Sequence, residues 1–244
     1  LHSRKYPLIK GSGVEWVLQT NSNIKTIWRN SLTFFLGTRW VRHGYCWIFP
    51  MSDNRLKVGV CTFRPPSSST IETNEFALNR LINEMQLKNY SINEKHGGIL
   101  SSTIYKNEPH LRGRIIGVGD AISTGNLLGG EGIRFASISA DILGDLLVKS
   151  SMGIMSSEKE KKLFLHKYKN NLSKRLGGWR WVISNRIGRK TWWDLSSETA
   201  DKKLVKLIRG LDKNLSADEI SQLLFYYKFE RYGLRVLPYI LGLK

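Results

Sequence analysis

Residues 114–133 read RIIGVGDAISTGNLLGGEGI and are the most informative stretch of this chain. A short apolar strand over 114–118 ends at Gly119-Asp120, a glycine-rich loop follows, and an apolar helix begins near Glu131. A carboxylate at a strand end can bond a polyol, and glycine N–H groups at a helix start can approach a pyrophosphate. The stretch therefore predicts a strand–loop–helix unit that holds a phosphate-bearing ligand.

A second motif lies on a predicted strand closer to the N-terminus. Residues 44–50 read GYCWIFP, and after eight intervening residues 59–61 read GVC. Tyr45, Trp47 and Phe49 alternate, so on a strand they share one face. One interpretation is that the three rings fill the core behind the sheet.

Together the two motifs resemble flavoprotein oxidoreductases with the para-hydroxybenzoate hydroxylase-type fold. The glycine-rich stretch is similar to their second FAD-contacting motif, and the aromatic strand is similar to the Tyr-x-Trp-x-Phe-Pro…Gly-x-Gly signature of geranylgeranyl reductases. Cys61 stands where that signature has its last glycine, and residues 126–128 stand where the family usually has a proline. The resemblance covers residues 14–150 in continuous order.

The resemblance implies a cofactor site on the glycine-rich stretch. Asp120, beside Gly119, would bond a ribityl hydroxyl of FAD. Backbone N–H groups of the loop and helix start would meet the pyrophosphate or the flavin edge; their residues are Gly129, Gly130, Gly132 and Ile133. Glu131 is a further member of this site, either as a proton relay or as a helix-start glutamate favoured by the macrodipole.

The resemblance also implies a substrate and a reaction. Tyr45, Trp47, Phe49 and Pro50 would line a prenyl chain. The expected reaction is hydride transfer from reduced FAD to an isoprenoid or another lipophilic substrate, with NAD(P)H or ferredoxin as electron donor. No side chain is assigned as catalytic, because the flavin performs the hydride chemistry. Flavin-dependent hydroxylases and halogenases of the same fold are the alternative.

One part of such enzymes has no counterpart in this sequence. The family begins with a βαβ unit whose Gly-x-Gly-x-x-Gly loop holds the FAD pyrophosphate. Residues 11–16 read GSGVEW, with no third glycine. We therefore expect the C-terminal portion of a flavoprotein, with an N-terminal FAD-binding half as a separate chain or segment. The alternative is a remnant without independent catalysis that binds a partner or a membrane.

Composition limits the remaining classes of function. The net charge is +18, and residues 151–244 carry 20 basic against 9 acidic residues, so anionic partners are favoured. No apolar run reaches the length of a spanning helix. The two cysteines make no disulfide framework and fit a cytoplasmic protein. The sequence has no Cys/His/Asp cluster with metal-ligand spacing and no Gly-x-Ser-x-Gly nucleophile elbow. It therefore gives no support to a metalloenzyme or a hydrolase.

Periodicity predicts an α+β fold in three regions. Residues 1–110 form a mostly antiparallel substrate-domain sheet, 111–150 a remnant of the FAD-binding domain, and 151–244 a basic, tryptophan-containing helical region. The remaining predicted strands are 14–20, 31–37, 45–49 and 56–63. The predicted helices are 73–87, 131–149, 158–172, 197–211 and 217–232, the last opened by a capping-box pattern at its start.

Residues 179–193 combine tryptophan with arginine and lysine. Tryptophan favours the membrane–water interface and basic residues favour anionic head groups, which predicts peripheral contact with an anionic membrane. Similar interleaving occurs in single-stranded nucleic-acid binders, but no RNA-binding or helix-turn-helix signature accompanies it here. The third interpretation is a helical region with buried tryptophans and a solvated basic face.

Overall fold

The computed structural model describes residues 9–21, 25–64, 72–103, 108–149 and 157–240. The chain divides into two compact units. The sheet unit comprises Ile9–Leu100 and Thr191–Lys206, and the helical unit comprises Ser101–Lys190 and Leu207–Lys244. Compactness groups residues by their packing and does not decide between functional domains, so the predicted boundaries at 110 and 150 stay a prediction.

The sheet unit is built on a five-stranded sheet in the order β2-β3-β4-β1-β5. The pairs β1–β4, β3–β4 and β2–β3 are antiparallel, as predicted. The strands are β1 (Ile9–Thr20), β2 (Thr33–Leu36), β3 (Gly44–Pro50), β4 (Arg55–Arg64) and β5 (Tyr90–Ser102), and the helices are α1 (Thr26–Asn30) and α2 (Asn74–Glu84). Strand β5 was not predicted, because most of its residues are exposed and show no apolar alternation.

One face of this sheet is buried against helix α2. Alternate residues of β3 and β4, including Ile48 and Val58, pack with Leu78 and Leu81 of α2 in one apolar cluster. Thr73 caps α2, since its hydroxyl oxygen accepts a hydrogen bond from the backbone N–H of Phe76. Period-two patterning of the strands and helical spacing of 73–87 therefore predicted this layer correctly.

The helical unit begins with a short hairpin and continues as helices. Strands β6 (Leu111–Arg112) and β7 (Ile115–Ile116) pair antiparallel, and a 3₁₀ turn spans Gly119–Ile122. The helices are α3 (Ile133–Lys149), α4 (Glu158–Arg175), α5 (Trp179–Asp194), α6 (Glu198–Asn214), α7 (Ala217–Leu224) and α8 (Phe229–Ile240); the first part of α6 belongs to the sheet unit. None of the helices in the described ranges is long and apolar enough to cross a membrane.

Two sequence predictions in this unit were wrong in detail. Of the strand predicted over 114–118, only Ile115 and Ile116 are paired. The chain turns at Gly119, whose φ of 58 is incompatible with an extended strand. The helix predicted over 217–232 is two helices, because Tyr227 has φ 56 and interrupts the helical backbone between α7 and α8. The α+β class is confirmed.

Candidate functional site

The candidate cofactor site is the loop between β7 and α3 in the helical unit. Gly119 is buried in this loop and its backbone N–H donates to Ser139 Oγ of α3 at 2.9 Å. A Cβ atom at Gly119 would lie 3.0 Å from the Cβ of Ala136. Positive φ and close approach to α3 both require glycine here. The predicted Gly119-Asp120 pair therefore sits directly against the helix.

Asp120 lies in the 3₁₀ turn and its side chain is exposed. Within the described ranges its carboxylate makes no hydrogen bond or ion pair with another residue. Cβ atoms built on Gly125 and Gly132 would lie 3.3 Å and 3.9 Å from Asp120 Oδ1. The carboxylate therefore rests over bare glycine backbone, and its oxygens can accept hydrogen bonds from a ligand's hydroxyl groups.

The segment from Asn126 to Glu131 closes on itself. The two residues exchange both backbone hydrogen bonds, at 2.8 Å and 3.0 Å, and Gly130 at the tip has φ 65. The predicted residues Gly129, Gly130, Glu131, Gly132 and Ile133 thus form one continuous turn that leads into α3.

Asn126 and helix α5 hold this turn, although the sequence assigned them no role. Asn126 Nδ2 donates to Ser184 Oγ at 2.6 Å, and Asn185 Oδ1 accepts from the backbone N–H of Leu127 at 3.0 Å. A Cβ atom at Gly188 would lie 2.5 Å from the backbone nitrogen of Leu128. The loop backbone therefore rests directly on α5. This contact restricts residues 126–128, where the related flavoproteins usually have a proline.

Helix α3 starts at Ile133, whose side chain is 86% exposed. The first N–H groups of a helix have no acceptor within the helix, and the macrodipole makes this end partly positive. The first turn of α3 contains no acidic residue. This end of the helix therefore suits an anionic group.

Glu131 is placed differently from the other predicted site residues. Its Oε2 atom accepts hydrogen bonds from Arg134 at 2.6 Å and from the Tyr227 hydroxyl at 2.7 Å. The carboxylate is thereby engaged within the protein. The sequence analysis predicted neither partner. Tyr227 lies 96 residues away from Glu131 along the chain, and no sequence pattern connects the two.

A buried polar network lies behind the 3₁₀ turn. The Ser123 hydroxyl donates to Glu108 Oε1, and Ser123 has φ 54. The backbone N–H of Thr103 donates to Glu108 Oε1 at 3.2 Å. Tyr168 of α4 donates to the carbonyl oxygen of Gly117 at 3.0 Å. These bonds fix the turn that carries Asp120, because breaking one of them would leave a buried polar group without a partner, which costs free energy.

The predicted substrate residues lie on β3 in the sheet unit. Tyr45, Trp47 and Phe49 are half-buried, whereas the alternating Cys46 and Ile48 are fully buried in the cluster that packs on α2. The three rings therefore occupy the sheet face opposite to that cluster. Whether these rings bind a ligand or only pack against one another stays a prediction.

The rings form a continuous aromatic face. Trp47 is 5.8 Å from Tyr45 and 6.2 Å from Phe49 between ring centroids. Phe34 of β2 and Trp192 of α5 extend the row, each 5.1 Å from a neighbouring ring. Offset and tilted ring contacts of this kind are favourable beyond their buried area.

Glycine and glutamate shape the middle of this face. A Cβ atom at Gly59 would lie 2.1 Å from the Trp47 ring, so the indole lies flat on β4. Trp47 Nε1 donates to Glu15 Oε2 at 3.0 Å, and Lys57 Nζ lies 3.2 Å from Glu15 Oε1. Pro50 is half-buried at the end of β3 and pairs with Leu56.

Cys61, which replaces the last glycine of the signature, contacts Tyr45. Burial raises the pKa of the Cys61 thiol to about 12, although the neighbouring Tyr45 acts to lower it. Burial likewise raises the pKa of Cys46 to about 12. Both thiols remain protonated at neutral pH and are poor nucleophiles, as was predicted for Cys46.

The tryptophans of residues 179–193 are divided between core and surface. Trp181 is fully buried in the core of the helical unit and Trp192 is buried in the sheet unit. Trp179 is 54% exposed. Part of this segment therefore serves packing, which the composition alone did not distinguish.

Comparisons with known proteins agree with the fold and the motifs. No family model matches the chain. Digeranylgeranylglycerophospholipid reductase 2 of Methanothermobacter thermautotrophicus is 26% identical over 219 residues, which are 86% of this chain and 51% of that protein. A geranylgeranyl bacteriochlorophyll reductase-like protein from Thermoplasma acidophilum matches with a TM-score of 0.66 at 18% identity, over 96% of this chain and 56% of that chain.

A flavoprotein/dehydrogenase from Cytophaga hutchinsonii matches with a TM-score of 0.56 at 14% identity, over 98% of this chain and 54% of that chain. The chain therefore spans about half the length of the proteins that it resembles. The fold is shared with the geranylgeranyl bacteriochlorophyll reductase-like protein and with the flavoprotein/dehydrogenase, and the predicted similarity to geranylgeranyl reductases is confirmed.

Proposed function

We propose that this protein is a FAD-dependent oxidoreductase similar to geranylgeranyl reductases, acting on an isoprenoid or another lipophilic substrate. The observation that carries the proposal is the exposed Asp120 carboxylate over Gly125 and Gly132, beside the start of α3. The name of the archaeal relative, a digeranylgeranylglycerophospholipid reductase, supports a prenyl lipid as substrate.

The residues of the loop fit FAD. Asp120 would accept a hydrogen bond from a ribityl hydroxyl, and no side chain projects from Gly125 or Gly132 to obstruct this approach. The backbone N–H groups of Gly129, Gly130, Gly132 and Ile133 would face the pyrophosphate or the flavin edge, where the positive end of α3 stabilises negative charge. When bound, the flavin would supply hydride to a substrate double bond. NAD(P)H or ferredoxin would provide the electrons.

The aromatic face of the sheet unit would bind the lipophilic part of the substrate. Tyr45, Trp47, Phe49 and Pro50 offer a half-buried apolar surface, and each CH₂ group that leaves water on such a surface contributes about 0.8 kcal/mol. A prenyl chain is apolar along its whole length, so a row of rings can contact more of it than a compact pocket can.

An N-terminal half that carries a Gly-x-Gly-x-x-Gly loop would complete FAD binding, as a separate chain or segment. The support is the length of the related proteins, of which this chain spans about half. The proposal therefore concerns an enzyme to which this chain contributes the ribityl and substrate contacts.

Product analysis tests the proposal. Purified protein with FAD, a chemical reductant and a geranylgeranylated glycerophospholipid should yield lipids that are heavier by two hydrogen atoms for each saturated double bond. Hydroxylated or halogenated products would instead assign the protein to the other reactions that this fold supports. An unchanged lipid, with and without an N-terminal partner, would contradict the proposal.

Trp47→Ala separates substrate binding from folding. We expect the KM for the prenyl substrate to rise about tenfold, because the indole forms the middle of the aromatic face. Phe76→Ala is the matched control, since Phe76 is an exposed ring on α2, outside the aromatic face. An unchanged KM with a lowered melting temperature would mark Trp47 as a packing residue only.

We also propose that α5 contacts anionic lipid. Trp179, Ile183 and Ile187 are exposed at helical spacing along one side of this helix, and the chain carries a net charge of +18. Sedimentation with phosphatidylglycerol vesicles should exceed that with phosphatidylcholine vesicles and should fall on Trp179→Ala. Equal sedimentation with both vesicles would remove the membrane from the list of partners.

A further inference from the structure

The turn between α7 and α8 contacts the glycine-rich loop through three side chains that we call the Glu131 clamp: Glu131, Arg134 and Tyr227. The Tyr227 hydroxyl donates to Glu131 Oε2 at 2.7 Å. Arg134 Nη2 donates to the same oxygen at 2.6 Å and to the backbone carbonyl of Phe225 at 2.6 Å. The clamp therefore ties the loop, the first turn of α3 and the α7–α8 turn to one another.

Tyr227 is held in an unfavourable backbone conformation. Its φ of 56 lies in the left-handed region, which is uncommon for a bulky residue. The side chain is 2% exposed, and its ring stacks between Phe135 and Phe229 with centroids 6.3 Å away on each side. Such conformations persist where the surroundings impose them, and they concentrate at functional sites.

The hydroxyl of Tyr227 is a permanent donor. Burial, and then the hydrogen bond to the Glu131 carboxylate, raise the pKa of this phenol far above its ordinary value. The phenol therefore stays protonated over the whole range in which the protein is handled.

The same turn also contacts the tip of the loop. A Cβ atom at Gly129 would lie 3.3 Å from the Phe225 ring, so this ring rests on the glycine backbone. Glu131 is itself paired with Asn126 through two backbone hydrogen bonds. Movement of the α7–α8 turn would therefore displace Gly129 and Glu131 together, and with them the approach to α3.

We propose that the Glu131 clamp is a positioning device, by which the α7–α8 turn sets the backbone N–H groups of Gly129, Gly130 and Gly132 for an anionic ligand. Glu131 is then a positioning residue, neither a ligand contact nor a proton relay. The inference rests on the proposed function in one respect, namely that the anionic ligand is FAD. It also gives the C-terminal helices a part in cofactor binding.

Amide hydrogen exchange and FAD titration of the purified protein test this proposal together. Tyr227→Phe removes only the hydroxyl and keeps the stacked ring. We expect exchange at the hydrogen-bonded amides of Asn126 and Glu131 in the flavin-free protein to become about tenfold faster, and FAD binding to weaken about tenfold. Glu131→Gln should give the same result. The double variant should be no worse than either single one, because the three side chains act as one unit.

Tyr226→Phe is the matched control. Tyr226 is the neighbouring tyrosine and is 56% exposed, so loss of its hydroxyl should change neither exchange nor affinity. Unchanged exchange at the amides of Asn126 and Glu131 in Tyr227→Phe would overturn the proposal, as would a lowered melting temperature without faster exchange at these two amides. Because exchange is measured without flavin, failure of the unmodified protein to bind FAD would contradict the proposed function alone.

Discussion

At the scale of single residues, Gly119 combines two constraints that only glycine meets: φ 58 and close contact with Ala136. Gly119→Ala should lower the free energy of unfolding by about 1–2 kcal/mol for the left-handed backbone, and by more for the contact. Gly144→Ala is the control, since this helical position in α3 has nothing within 4 Å of an added Cβ. It should stabilise the protein by about 1 kcal/mol. Urea unfolding that gave both variants the same sign would contradict the loop geometry.

The two thiols provide a second prediction at this scale. Because burial raises the pKa of Cys46 and Cys61 to about 12, the reactive thiolate is scarce below that pH. Alkylation by iodoacetamide at pH 8 should be at least about 100-fold slower than that of glutathione, and its rate should rise with pH toward 12. Rapid labelling at pH 8 in the native state, detected by mass spectrometry, would contradict the raised pKa of the two thiols.

At the scale of elements, helix α7 begins with a complete capping box. Ser216 Oγ accepts from the backbone N–H of Glu219 at 3.2 Å, and Glu219 Oε2 accepts from the backbone N–H of Ser216 at 3.0 Å. Ser216→Ala should lower the free energy of unfolding by about 1 kcal/mol. Ser173→Ala, at an exposed position inside α4, is the matched control and should have little effect. Chemical unfolding that ranked the two variants equally would contradict the cap.

The same scale shows what the sequence could predict. Alternating apolar residues predicted β1, β3 and β4, and helical spacing predicted α2 and α3, because those elements bury one regular face. Strand β5 reads YSINEKHGGILSS and is mostly exposed, so it left no such pattern. The glycine-rich loop was predicted from its own residues. Its supports were not, since Ser184 lies 58 residues and Tyr227 96 residues away from the groups that they bond.

At the scale of the whole molecule, the proposed substrate and cofactor sites belong to different compact units. The aromatic face belongs to the sheet unit, whereas Asp120 and the Glu131 clamp belong to the helical unit. Residues 157–190 and 207–240 belong to the helical unit, and residues 191–206 belong to the sheet unit. Sequence composition gave the net charge of +18 directly, but only the structure separates Trp179 from the buried tryptophans of the same segment.

The most direct test of the central claim, that the Asp120 loop holds FAD, is a flavin titration followed by fluorescence quenching and visible absorption. The unmodified protein should bind FAD saturably, and Asp120→Ala should weaken binding about tenfold or more without changing the melting temperature, because the exposed carboxylate bonds no other described residue. Equal FAD affinity of the two proteins, or no saturable binding by the unmodified protein even together with its N-terminal half, would contradict a role of Asp120 in holding FAD.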